Sequence, residues 1–472
     1  MVDVHAGGKA VSTRRFRTML DLRIAQCQGA QALARRGAAR FAALLAHARH
    51  ASPVYRRLYR DLPADGVARD DLPPVDKRTL MAAFDDWVTD PRVTRAGVEA
   101  FMSDPGRIGA RYHGEYFVCT SSGTTGHPGV FVHDGHAVDT YRAITSARIV
   151  PGWAGAGGLL RMARRAFRWA AVVGTGGHYA GAGWMELERR RSWWHAHAFR
   201  VFSVQQAVPE LVAALNAFDP AMLTAYPSAL ELLATLQDVG RLHLRPAMLE
   251  ISGESTTQEW KAHAAAAFGC AVYDVYSASE CLTMAFSCPH GWLHVNSDWV
   301  MLEPVDDHFR PTPPGHQSHT VLLTNLANRV QPLIRYDLGD SVRVGPDACP
   351  CGSPLPAIQI IGRRDDVLRL VAHNGRSVTI IPLAISSVID ATPEVHRSQI
   401  VQAGPASIRV RIETTRGADE DVVWRAVATN LSAYLARQGL AAVEVVRAQE
   451  PPQQGAQFGK YRQVIAVPRS ED

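Results

Sequence analysis

Residues 120–129 read TSSGTTGHPG, which places five hydroxyl side chains and three glycines in ten positions. Glycine lets the backbone bend close to a ligand, and neighbouring N–H groups and hydroxyls then form a cradle for phosphate oxygens. The run is not a Walker A loop, because Gly123 and Gly126 have the wrong spacing and no Gly-Lys-Ser/Thr follows. A second constellation is Cys288, with His290 and His294 close behind it, and the later Cys349-Pro-Cys351. A C-x-C pair, one further Cys and one His make the ligand set of a tetrahedral Cys₃His zinc site. Four protein ligands would close such a site, so its role would be structural. Buried free cysteines are the plainer reading, although C-x-C is untypical of them.

Five further segments carry single residues with chemistry: ISGEST (251–256), YSASE (276–280), RYDLGD (335–340), GRRDD (362–366) and FGKYR (458–462). Alone, Asp337 reads as a turn aspartate, Glu280 as a helix-capping partner and Lys460 as a solvated lysine. Their order along the chain changes that. With the hydroxyl-rich loop, the set resembles the adenylate-forming superfamily of acyl-CoA synthetases, luciferases and peptide-synthetase adenylation domains. LLAHARHASPVYRRLY (44–59) and TAYPSALELLA (224–234) resemble the phenylacetate–CoA ligase branch. Matching segments run from about residue 41 to residue 464.

The resemblance implies a role for each position. Ser121, Ser122, Gly123, Thr124, Thr125 and Gly126 match the loop that holds the β- and γ-phosphates of ATP. Gly253 and Glu254 match the turn bordering adenine. Tyr276, Ser279 and Glu280 match the motif whose aromatic ring faces adenine and whose carboxylate binds Mg²⁺, a hard cation suited to oxygen ligands. Asp337 matches the aspartate that accepts from both ribose hydroxyls, Arg363 the arginine near ribose and phosphate. Lys460 matches the lysine that reaches the α-phosphate during adenylation, where a point positive charge stabilises the transition state. Among the zinc ligands the resemblance favours His294 over His290, giving Cys288, His294, Cys349 and Cys351. The implied cofactors are ATP, Mg²⁺, coenzyme A and structural Zn²⁺. The implied reaction joins a small, aromatic carboxylic acid to AMP and then passes the acyl group to the thiol of CoA. A small C-terminal lid would rotate between the two steps about a hinge at Asp365. A homodimer is common in that branch.

Three departures bear on this expectation. His127 stands where a lysine usually ends the phosphate loop, and histidine is a weaker, pH-dependent cation. Ser277 replaces a usual glycine. VLRLVAHNGRSVTIIP follows the hinge in place of a compact Arg-Gly turn, which leaves an amine or a carrier-protein thiol open as the acceptor. A weakly catalytic homologue that binds nucleotide or an acyl ligand is the reading of another class.

The elements that would position these residues can be read more coarsely. Residues 19–60 predict helices, with Phe41, Leu44, Leu45 and Ala48, then Tyr55, Leu58 and Tyr59, at helical spacing. Residues 72–90 predict a turn and a capped helix. From about 115 to 345, short apolar runs alternate with helical patterns, which argues for α/β layers with a largely parallel sheet. Residues 320–344 look more purely β, and the tail reads as strand–helix–strand, with Trp424, Val427, Leu431 and Leu435 on one helix face. The expected fold is α/β: a large multi-layer domain over 1–362 with a β-rich subdomain, and a small α+β lid over 366–472, joined near 363–366. The GTGGHYAGAG segment around His178 and Tyr179 is expected to line an acyl pocket.

The 472 residues, 47% hydrophobic and 20% charged, suit a globular protein of two or three domains. The net charge of +5 concentrates in the first 60 residues and between Arg161 and Arg191. Such clusters suit solvated helix faces or anionic cofactors, and no nucleic-acid-binding motif accompanies them. No run approaches the roughly 18 apolar residues of a membrane helix. Seven cysteines in so long a chain are no disulfide scaffold, and the cytosol is the expected compartment. Cys27, Cys119, Cys270 and Cys281 are expected to be packing residues.

Overall fold

The computed structural model describes residues 4–63, 66–121, 129–253, 258–345, 348–362, 368–380, 382–453 and 463–465. Helices Val4–Cys27 and Ala30–Ala51 open the chain, broken at Gly29, whose φ of 85° favours glycine. The second buries Leu33, Phe41, Leu44, Leu45 and Ala48 at helical spacing. Tyr55 and Tyr59 are buried beyond it, while Leu58 turns outward. Helix Lys77–Ala82 starts where expected, because the Asp76 side chain caps it by accepting from the Thr79 N–H.

A nine-stranded mixed sheet carries the large unit. Its order is Ser341–Val344, Ala357–Gly362, Leu293–Val295, Cys281–Ser287, Val272–Ala278, Met248–Ile251, Met222–Ala225, Trp169–Val173 and Phe199–Ser203. The five strands from Val272–Ala278 to Phe199–Ser203 pair in parallel. Strands in the centre of this stretch are nearly continuous apolar runs, as expected for strands covered on both faces. The other four continue the same sheet with antiparallel pairing, beginning at the tight turn after Ala278. The β-rich portion is therefore partly an extension of the parallel sheet. A separate antiparallel sheet holds Val300–Val305, Thr320–Asn325 and Tyr336–Asp337. Another holds Arg111–Tyr112, Tyr116–Thr120 and Val130–His133.

The tail forms a hairpin, Leu368–Val371 with Ser377–Ile380, and a four-stranded sheet ordered Glu444–Arg447, Ser407–Thr414, Val395–Gly404 and Val464–Ile465. Helices Pro382–Asp390 and Glu420–Arg437 accompany them, the second burying Val423, Val427, Leu431, Tyr434 and Leu435, with Trp424 at the edge of that face. Among the described residues, polar contacts between tail and large unit include Arg369 to Glu231 at 3.2 Å, Gln438 Nε2 to the Gln206 carbonyl at 3.4 Å, and the Tyr179 phenol to the Ser387 hydroxyl. Among the described residues, no helix is long and apolar enough to cross a membrane.

Candidate active site

The hydroxyl-rich segment connects the two strands of a β-hairpin, Tyr116–Thr120 and Val130–His133. Thr120 pairs with Val130, and at the next step the Ser121 N–H donates to the Gly129 carbonyl at 2.9 Å. The Ser121 hydroxyl accepts from the Gly129 N–H at 2.7 Å, so both ends of the loop are pinned to one serine. Residues 122–128, with Ser122, Gly123, Thr124, Thr125, Gly126 and His127, lie outside the described residues. Lys77, at the start of its capped helix, donates from Nζ to Ser121 Oγ at 3.0 Å. A Cβ at residue 129 would come within 3.0 Å of the Lys77 Cε, so Gly129 leaves the space the lysine uses.

The 276–280 segment meets this hairpin directly. Ser279 Oγ donates to the Thr120 carbonyl at 2.9 Å. Glu280 is buried, and its Oε1 accepts from the Tyr336 hydroxyl at 3.0 Å. Among the described residues Oε2 has no hydrogen-bond donor, and a carboxylate held in this way fits a hard, oxygen-preferring ion such as Mg²⁺. Tyr276 is buried and donates to Asp340 Oδ2 at 2.7 Å. Ser277 falls at a register shift between Tyr276 and Ala278, and its φ is not in the left-handed region. A side chain there costs no backbone strain, which removes one reason to expect a glycine.

Asp337 is the next residue along the same short strand as Tyr336, Glu280's partner. Its Oδ1 accepts from the Thr320 hydroxyl and the Gly339 N–H, and among the described residues Oδ2 has no hydrogen-bond donor. The backbone beside it carries Lys77 into the site: the Asp337 N–H donates to the Val75 carbonyl at 2.9 Å, and the Val75 N–H to the Arg335 carbonyl at 3.1 Å. Gly253 follows strand Met248–Ile251 with φ 88°, its would-be Cβ 3.4 Å from the Tyr226 ring. It lies beyond the carboxyl end of a parallel strand, where open α/β sheets bind ligands. Tyr179 pairs with Thr120 through a parallel bridge, and burial pushes its phenol up to about 12. Glu254, Arg363, Asp365 and Lys460 lie outside the described residues.

The second constellation closes on itself. One ligand atom from each of Cys288, His294, Cys349 and Cys351 lies within 4.8 Å of all the others. The Cys288 and Cys349 sulfurs stand 3.7 Å apart, and His294 Nε2 is 3.1 Å from Cys351 Sγ. Two thiolates on one tetrahedral zinc, each at about 2.3 Å, stand about 3.8 Å apart. His294 Nδ1 donates to the Leu355 carbonyl at 3.0 Å, which fixes the tautomer that turns a bare Nε2 toward the sulfurs. His290 is exposed, and among the described residues the cluster contains His294 and not His290. Of the other cysteines, Cys119 and Cys281 are fully buried and Cys270 partly so, as packing residues should be. Cys27 is not: it ends the first helix in solvent.

Lys77 has no local signature in the sequence, because a helix distant in sequence brings it to Ser121.

A search of solved structures finds the same architecture in 2-hydroxyisobutyryl-CoA ligase. In complex with 2-HIB-AMP and CoA in the thioesterification state, that protein superposes with a TM-score of 0.56 at 22% identity, over 93% of this chain and 89% of that one. Its open conformation, also with 2-HIB-AMP and CoA, gives 0.51 at 21% identity, over 92% and 91%. The fold is that of the adenylate-forming CoA ligases. A phenylacetate–coenzyme A ligase of Thermus thermophilus is 25% identical over 290 residues, 59% of this chain. The chain spans 60% of that relative's length. No family model matches. The Thermus relative bears the name of the branch that the motifs resemble.

Proposed function

We propose that the protein uses ATP to activate a small carboxylic acid as its acyl-adenylate and then forms a thioester with coenzyme A. The observation that carries this reading is the hydrogen bond from Ser279 Oγ to the Thr120 carbonyl, because it joins the phosphate-loop hairpin to the Glu280 carboxylate. Support comes also from the solved neighbours, whose complexes hold an acyl-AMP and CoA.

In the first step a carboxylate oxygen of the acid attacks the α-phosphorus, and the bond to pyrophosphate breaks. Ser121 through Gly126, with Lys77 at their root, hold the departing phosphates, while Gly253 and Glu254, Tyr276, Asp337 and Arg363 fix the nucleoside and its ribose. Bound at Glu280, Mg²⁺ would supply charge neutralisation for the phosphates. Lys460 stabilises the charge on the α-phosphate. In the second step a thiolate attacks the acyl carbonyl, AMP leaves, and the thiol proton passes to solvent. Residues 366–472 act as the lid and 1–362 as the body, with the hinge at 363–366. Rotation requires release of the Arg369–Glu231 and Tyr179–Ser387 contacts. The acid is small and aromatic, in line with the phenylacetate relative. Cys288, His294, Cys349 and Cys351 hold a structural zinc that ties the chain after the Glu280 motif to the chain after Asp337.

The test is acid-dependent ATP–pyrophosphate exchange across aryl and aliphatic acids, followed by AMP release with and without CoA. Exchange with an aryl acid and CoA-dependent AMP release are expected. AMP release that needs an amine or a carrier-protein thiol instead would replace CoA as acceptor.

A further inference from the structure

The peptide that carries Glu280 is gripped from behind by three fully buried residues. His133 ends the strand of the phosphate-loop hairpin, and its Nε2 lies 2.9 Å from the Ser279 carbonyl. A carbonyl only accepts, so Nε2 carries the proton and Nδ1 is bare. Nδ1 lies 3.2 Å from the Tyr141 hydroxyl, which must therefore donate to it. The Tyr141 oxygen in turn accepts from Asn325 Nδ2 at 2.8 Å. The same Nδ2 donates its second hydrogen to the Glu280 carbonyl at 3.0 Å, and Asn325 Oδ1 accepts from the Ala327 N–H, which fixes the amide orientation. The donors diverge from Asn325: one hydrogen leads through Tyr141 and His133 to the Ser279 carbonyl, the other goes straight to the Glu280 carbonyl. His133, Tyr141 and Asn325 are 0%, 1% and 0% exposed and come from three different elements. The Cys119 thiol stands 3.6 Å from the same Ser279 carbonyl, and Cys281 touches the Tyr141 hydroxyl.

A buried network satisfied at each link rigidifies what it holds. Here it holds the carbonyls of the two peptide groups that flank the Glu280 Cα. Tyr336 on the carboxylate and Ser279 Oγ on Thr120 supply the remaining restraints.

We propose that His133, relayed through Tyr141 and Asn325, is a positioning residue that orients the Glu280 carboxylate for its divalent cation and locks it to the phosphate-loop hairpin. This rests on the reading of Glu280 as the cation ligand. Partners that orient a metal-binding side chain typically contribute ten- to a hundredfold to metal affinity.

The test uses the full chain and reads metal binding rather than turnover. Mn²⁺ affinity is titrated by electron paramagnetic resonance in the presence of α,β-methylene-ATP. His133→Leu should weaken Mn²⁺ roughly tenfold, Tyr141→Phe should weaken it in the same direction, and His133→Gln, which keeps a donor for the Ser279 carbonyl, should restore most of the loss. If His133→Leu does not fold, Tyr141→Phe decides by the same titration, since it removes a single oxygen. Unchanged Mn²⁺ affinity in the folded variants, while the wild type binds Mn²⁺, overturns the positioning role and leaves the proposed function standing. A wild type that binds no Mn²⁺ with the nucleotide overturns both.

Discussion

Lys77 Nζ donates to Ser121 Oγ at 3.0 Å, although the two residues belong to a helix and a hairpin that share no local sequence. The contact puts a cation at the root of a loop whose usual terminal lysine is His127. A hydrogen bond involving a charged group contributes about 1.5–3 kcal/mol. Lys77→Ala is therefore expected to lower kcat/KM for ATP by roughly ten- to a hundredfold, with the KM for the acid little changed. Equal losses in the two parameters would show that the lysine supports the fold and not the phosphates.

The four-residue cluster predicts metal content. Purified protein should carry one zinc per chain, measured by elemental analysis, and Cys351→Ser or His294→Ala should lose it. Because structural zinc contributes directly to folding, a strong chelator should lower the Tm while the metal is released. Protein that contains no zinc, yet unfolds at the same temperature as a Cys288→Ser variant, would contradict this.

Glu250 gives a pH dependence with a defined sign. It lies on strand Met248–Ile251, where burial pushes its carboxyl up to about 7, opposed by a hydrogen bond from Thr224 Oγ1 at 3.3 Å. Thr224 Oγ1 is oriented for this by accepting from Trp169 Nε1 at 2.7 Å. The folded state therefore holds a proton that the unfolded chain releases near 4.5. That contribution is fully present below the unfolded value and is lost as pH rises through 7. Glu250→Gln is uncharged throughout. The Tm of the wild type should fall relative to the variant between pH 5 and pH 8. Parallel Tm curves would show that the carboxyl ionises normally in the folded state.

Much of this architecture was legible in the sequence, for identifiable reasons. The central parallel strands are short, largely apolar runs separated by helical periods, and the Asp76 cap announces its helix. The motif residues Ser121, Ser279, Glu280 and Asp337 do converge, since the hairpin, the turn after Ala278 and strand Tyr336–Asp337 bring them together. What could not be read depends on pairings between distant segments. Lys77 reaches Ser121 only because Val75 bridges to Arg335 and Asp337. His294 wins over His290 because strand Leu293–Val295 pairs with Ala357–Gly362 and brings it to the C-x-C loop. The relay from Asn325 to His133 spans residues nearly two hundred positions apart in the chain. Cys27 follows an apolar-looking stretch yet faces solvent, together with the exposed Phe16, Leu20 and Ile24 of the same helix.

The lysine of the C-terminal segment gives a prediction that separates the half-reactions. Lys460→Ala should abolish adenylate formation and leave thiol transfer from a supplied acyl-adenylate largely intact, because in the proposed mechanism the lid would turn this residue away for the second step. Stopped-time assays of each half-reaction measure it. Equal loss in both would remove the lysine from its assigned role. Ser387→Ala, at the lid's contact with Tyr179, should instead change the rate of one half-reaction relative to the other.

The central claim is that this chain adenylates a carboxylic acid. Acid-dependent exchange of labelled pyrophosphate into ATP tests it most directly. The account predicts Mg²⁺-dependent exchange with a small aryl acid, absent without acid and absent in Glu280→Ala. Folded, zinc-loaded protein that exchanges with no acid in the panel would contradict it.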